Sequence, residues 1–149
     1  MKKFVFSLDH MRDYKDLVLD EERGVLAQLN AKRNALQQQI DALQQRFREL
    51  SIELKDAQQQ GTTIQKIRSY GVQLENIRLQ LTDLRVLLLA AEQEVEKQMA
   101  VVLAANQEVS KLDKLHDKQY EIYQKEVQKV QERQVEELIS MEVGRKNAV

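Results

Sequence analysis

Cysteine is absent from the 149 residues, which excludes disulfide frameworks and thiolate metal sites and fits a reducing compartment. Proline is absent too, so no position forces a helix to break, and punctuation must come from glycine or from shifts in hydrophobic register. Tryptophan is missing, aromatic residues make up 5% and there are four glycines. With 32% of positions charged, this is the composition of long exposed helices rather than of a compact multilayer fold. Charge of one sign is lacking as well: 23 Lys plus Arg face 24 Asp plus Glu. No basic stripe is visible, so neither nucleic acid nor an anionic membrane is expected as a partner.

Long apolar runs are also missing. The longest, residues 86–91, is bracketed by Arg85 and Glu92, whereas a bilayer span takes ~20 consecutive apolar residues. No direct membrane insertion is therefore expected. The opening Lys2, Lys3, Phe4, Val5, Phe6, Ser7, Leu8 starts like a signal peptide, but Asp9 and His10 end its apolar stretch short of a secretory core. The default expectation is the cytoplasm.

What is present is periodicity. Leu26, Leu29, Arg33, Leu36, Ile40, Leu43, Phe47, Leu50, Leu54 and Ala57 recur at alternating steps of three and four. Only Arg33 interrupts the stripe, and a repeat of about 3.5 residues keeps one seam facing one partner, the pattern of a left-handed coiled coil. A second stripe runs through Tyr70, Leu74, Ile77, Leu81, Leu84, Leu88, Ala91, Val95, Gln98, Val102, Ala105, Val109, Leu112 and His116. Between them the apolar positions lapse at Gln58, Gln59, Gln60, Gly61, Thr62 and Thr63. Gly61 can take the left-handed conformation that ends helices, and Thr62 or Thr63 can cap a new one.

Two long amphipathic helices with a short connection bury their seams most economically against each other. The sequence predicts an all-α fold, an antiparallel two-helix coiled-coil hairpin in one domain. Helix one spans about 8–58, the turn 59–63, helix two 64–141, and a frayed tail 142–149. Folding at Gly61 sets Leu43 near Arg78 and Leu81, Leu29 near Ala91, and Leu54 near Ile67. It also sets Arg23 and Gly24 against Gln98, the least apolar member of the second seam, and predicts a local loosening there.

The lengths do not match. Helix one reaches back to about Phe4 and covers helix two to about residue 117, so residues 118–141 overhang with a stripe of Tyr123, Val127, Val130, Leu138 and Met141. A bare stripe asks for a partner. A second surplus lies early in helix two, where Val72, Leu79, Val86, Leu87 and Leu89 join seam residues in greater number than one seam can hide, and some must face outward.

Chemistry finds little purchase. His10 and His116 are the only histidines, and although the fold-back brings them toward one end of the hairpin, no spaced ligand motif accompanies them. The four glycines stand singly at Gly24, Gly61, Gly71 and Gly144, so no phosphate-cradling loop is present, and a two-helix coil offers no pocket for a nucleophile and its base. No catalytic residue, metal or cofactor is assigned. The carboxylates read as a solvated face with pairs such as Glu121 and Lys125, and the glutamine clusters as outward positions between intact heptads.

The opening segment, the heptads, the break at Gly61, the Tyr70, Leu74, Ile77 stretch and the run from Lys111 through His116 to Gln119 together resemble the FliJ family of flagellar export proteins. The resemblance implies an antiparallel coiled coil similar to the gamma subunit of rotary ATP synthases, acting as a non-catalytic stalk in type III export. It implies three partners: the central hole of a hexameric flagellar export ATPase, the linker of the export-gate membrane protein, and export chaperones. Phe4, Phe6, Leu8, Tyr123, Val127, Val130, Leu138 and Met141 are the candidate ring contacts. Tyr70, Leu74, Ile77 and Leu81 are the candidate gate contacts by the same resemblance, although all four also belong to the seam; unwinding of the coil, or replacement by Val72 and Leu79 inside, would reconcile the two. The chain is expected to be a monomer on its own, cytoplasmic and peripherally attached to the inner membrane through the export apparatus. The competing readings are a structural coiled-coil tether and the equivalent stalk of a virulence secretion system.

Overall fold

A computed structural model describes residues 2–148. Two helices, α1 (Asp9–Gln60) and α2 (Ile64–Asn147), form an all-α hairpin whose second arm is the longer, 84 residues against 52. The turn takes three residues, Gly61, Thr62 and Thr63. Gly61 takes φ +86°, a left-handed value that glycine reaches without a Cβ penalty, and so closes α1. Of the two candidate caps the structure uses Thr63, whose Oγ1 accepts from the Lys66 amide at 3.3 Å, satisfying one of the orphan donors of the first turn.

The chain divides into two compact units. One is formed by Glu21–Leu103 and contains the turn. Its core is a cluster of Ile40, Leu50, Ile77 and Leu81, with Leu43, Phe47, Tyr70, Leu74, Leu84 and Leu88 packed against it. Leu43 and Leu81 thus share the cluster that the fold-back at Gly61 predicts. Farther from the turn, Ala91 and Val95 are buried as well. Every predicted seam position of both helices in this unit is buried or half-buried.

The loosening expected at Gln98 is corrected. Gln98 Nε2 donates to the Glu22 carbonyl at 3.0 Å and also to the Glu22 carboxylate. A polar seam residue that finds both a backbone and a charged acceptor loses little by burial. Gly24 is exposed with open space around its Cα, so its effect is confined to helix propensity, about 1 kcal/mol.

The other unit comprises the N-terminal residues up to Asp20 and the chain from Ala104 onward. It buries Phe6, Leu19 and Val109, and Arg12 stands between Asp9 at 3.0 Å and Asp113 at 3.9 Å. The tail is also corrected: α2 does not fray from residue 142 but continues to Asn147. Good helix formers fill these positions, no proline intervenes, and Arg145 and Lys146 in the last turn complement the negative end of the helix dipole.

Candidate docking surfaces

Residues 2–6 are neither helical nor paired in a sheet. An extended chain advances about 3.3 Å per residue against about 1.5 Å in a helix. Each of these residues therefore covers about twice the length of α2 that a helical residue would, and the segment reaches farther than the helix-to-helix count allowed. The Tyr123 hydroxyl donates to the Lys2 carbonyl at 2.8 Å, so Tyr123 does not belong to the bare overhang in which the sequence placed it.

Alternation along this extended segment puts Phe4 and Phe6 on the same side, toward α2. Phe6 is 5% exposed and meets the His116 ring edge-on at 5.2 Å between centroids. Phe4 meets His116 at 5.5 Å, Tyr120 at 5.1 Å and Tyr123 at 5.5 Å. Arg12 places its guanidinium 5.6 Å from the Phe6 centroid, a cation-π contact that closes the cluster from the α1 side. His116 turns Nδ1 toward Asp117 at 3.2 Å, while His10 is exposed; the two histidines do not form a common site. Among the described residues no group of three His, Cys, Asp or Glu is arranged to hold a metal.

This N-terminal segment is held close to balance. Burying Phe6 fully and Phe4 in part stabilises it by roughly 4 kcal/mol, and the edge-on aromatic contacts with the Tyr123 bond add about 2. Fixing these five residues costs about 6 kcal/mol of backbone entropy. Val5, between the two phenylalanines, is 80% exposed and contributes nothing to the hold.

Beyond the segment's reach the surface of α2 opens. Val127 and Val130 are half-buried, and every described residue in 131–148 is exposed. Leu138 and Met141, singled out by sequence, are 66% and 72% exposed. Val135, Ile139 and Val143 are exposed beside them and were missed, because a heptad continued past Val130 does not land on them. The signal that finds them is the step itself: Val130, Gln134, Leu138 and Met141 advance by four, four and three. An inserted step of four unwinds the left-handed path of a coiled-coil stripe, so α2 changes pattern where its covering ends.

Of the ring candidates, Phe4, Phe6 and Tyr123 are thus engaged with one another or with α2, Leu8 is half-buried at the start of α1, and Leu138 and Met141 are free. The four gate candidates are brought together, but inside the core cluster: Ile77 and Leu81 are 8% and 6% exposed, with Tyr70 and Leu74 packed against them. Neither reconciliation offered by sequence holds. The coil is not unwound there, since all four pack with Ile40 and Leu50 of α1, and Val72 and Leu79 are not inside, being 60% and 56% exposed. They lie with Val86 and Leu89 on the face of α2 opposite the seam, since residues spaced by sevens and threes from Val72 stay half a turn away from Tyr70 and Leu74. The surplus of apolar residues does face outward, and it extends to Leu103, beyond the stretch the sequence marked.

No helix among the described residues is long and apolar enough to cross a membrane. Neither the curated proteins nor the solved structures compared with this chain gave a match. One family does match, described as Flagellar FliJ protein, over residues 4–148, a span that takes in the aromatic segment, the turn at Gly61 and the exposed end of α2. The chain is a member of the FliJ family of flagellar proteins, and with that membership goes a part in flagellar protein export.

Proposed function

We propose that this protein is the non-catalytic stalk of the flagellar export apparatus, and that it acts by inserting the far end of α2 into the centre of the hexameric export ATPase and promoting assembly and hydrolysis there. The observation that supports this most is the bare stretch after Val130. It is helical to Asn147, carries Val135, Leu138, Ile139, Met141 and Val143 in the open, and every described residue along it is exposed. Large apolar residues so concentrated on a solvent-exposed helix mark an interaction site, and a helix offered end-first suits an axial cavity better than a flat surface.

The outward face of α2 then serves the second partner. The export-gate membrane protein contacts this face through Val72, Leu79, Val86 and Leu89, while Tyr70, Leu74, Ile77 and Leu81 set the rigidity of the helix beneath. If the gate instead reads those four seam residues, the hairpin has to open near the turn first. Export chaperones are the third class of partner, for the same exposed apolar face. The attachment to the inner membrane is indirect, through the gate protein, and the chain works on the cytoplasmic side.

Truncation after residue 130 tests the principal contact. The shortened protein keeps the hairpin and its melting temperature, and loses stimulation of the cognate export ATPase. Full stimulation by the truncated chain would rule the insertion out.

A further inference from the structure

We propose that residues 2–8 form a displaceable strap, which covers the root of the docking stripe on α2 and is peeled away by the partner that grips the helix end. The inference rests on the reading of that end as the part taken up by the ATPase ring, and it adds a device that regulates how much of α2 can enter.

Three observations carry it. First, the strap packs on His116, Tyr120 and Tyr123, of which Tyr120 stays 42% exposed, and the same face continues through half-buried Val127 and Val130 to the exposed Leu138 and Met141. The covered and uncovered parts are one stripe, so a partner seated on the free part abuts the strap with no change of helix face. Second, the hold is made of side chains. Phe4 and Phe6 supply the ring contacts and the Lys2 carbonyl a single acceptor, while among the described residues the segment's backbone-to-backbone hydrogen bonds are confined to the turn that leads into α1, where the Phe6 carbonyl accepts from the Asp9 amide and the Leu8 carbonyl from that of Arg12. A segment without ladder bonds leaves stepwise, one side chain at a time, in the manner of local opening. Third, the order of release is built in. Phe4 is half-buried and lies nearest the bare end, whereas Phe6 is 5% exposed and is braced by Arg12. Invasion from the free end meets the weaker anchor before the stronger one.

Peeling to Phe6 adds the face from His116 to Tyr123 to the stripe, about 10 Å of helix at about 1.5 Å per residue. The partner implied is an apolar-walled axial cavity able to accept aromatic side chains and to offer a hydrogen-bond acceptor to the Tyr123 hydroxyl released from Lys2. In the free protein the strap keeps these aromatic residues from associating elsewhere.

The chain has no cysteine, so a reversible lock can be placed cleanly. Lys2→Cys and Gln124→Cys, both at exposed positions, are joined by a short flexible thiol-reactive bridge with a reducible centre, and binding to the cognate hexameric ATPase is measured before and after reduction. The locked protein is expected to bind about tenfold more weakly than the reduced one, because the fully extended stripe is denied to it. Arg12→Ala, which removes the brace on Phe6 and leaves every ring candidate in place, is expected to bind at least as tightly as the native chain. Equal binding by locked and reduced protein overturns the strap while leaving ring insertion standing. Failure of both to bind, together with the native chain, overturns ring insertion and the strap with it.

Discussion

Leu79 and Leu81 are the same residue type, two positions apart on one helix, and the structure gives them opposite roles. Leu81 is 6% exposed within the core cluster, and Leu79 is 56% exposed on the outward face. Truncating Leu81 to alanine removes three buried carbon groups at about 0.8 kcal/mol each. The facing residues on α1 cannot close fully over the gap, so a cavity term is added and the total comes to about 3 kcal/mol. For a chain of this length that lowers Tm by roughly 6–12 °C. Leu79→Ala removes atoms that are already half in water and leaves no cavity, and its cost stays within about 0.5 kcal/mol. Both variants are followed by helical circular dichroism through urea and thermal unfolding. In binding the order reverses: Leu79→Ala is expected to weaken capture of the export-gate linker, and Leu81→Ala, assayed well below its Tm, is not. Equal destabilisation by the two variants, or a larger loss from Leu79→Ala, would refute the placement of the seam.

Gly61→Ala places a Cβ in open space but at φ +86°, and the strain is expected to cost about 1–2 kcal/mol, read as a lower urea midpoint with an unchanged slope. Gln98→Ala leaves the Glu22 carbonyl and carboxylate without their donor and is expected to cost about 1–2 kcal/mol; Gln98→Glu, which also sets two carboxylates together, should cost more, and the same denaturation series orders them. Spin labels at His10→Cys and Asp117→Cys, diluted with unlabelled protein, should report a short intramolecular distance, whereas two parallel copies would give none.

Heptad spacing needs only side-chain hydropathy, so the seam was fully legible: residues from Leu26 to Ala57 and from Tyr70 to His116 are buried or half-buried where expected. The turn was legible because Gly61 is one of four glycines and sits where the apolar rhythm lapses. The extended reach of Phe4 was not, since residues 2–6 have no period that distinguishes strand from helix, and the rise per residue differs about twofold between them. Gln98 was misjudged because an amide in a seam is costly or harmless according to an acceptor on the other helix, which hydropathy does not register. Tyr70, Leu74, Ile77 and Leu81 came with the resemblance to the family rather than from periodicity, and periodicity had already placed them inside. Val135, Ile139 and Val143 were lost to a heptad extrapolated past the point where the stripe changes step.

A photoreactive benzophenone side chain at position 138, in the otherwise complete protein, tests directly whether the bare end of α2 is what the export ATPase grips. Irradiation in the presence of the assembled ring should link position 138 to the ATPase, and the same probe at position 86 on the outward face should not. A ring linked through position 86 and not through position 138 would contradict the account.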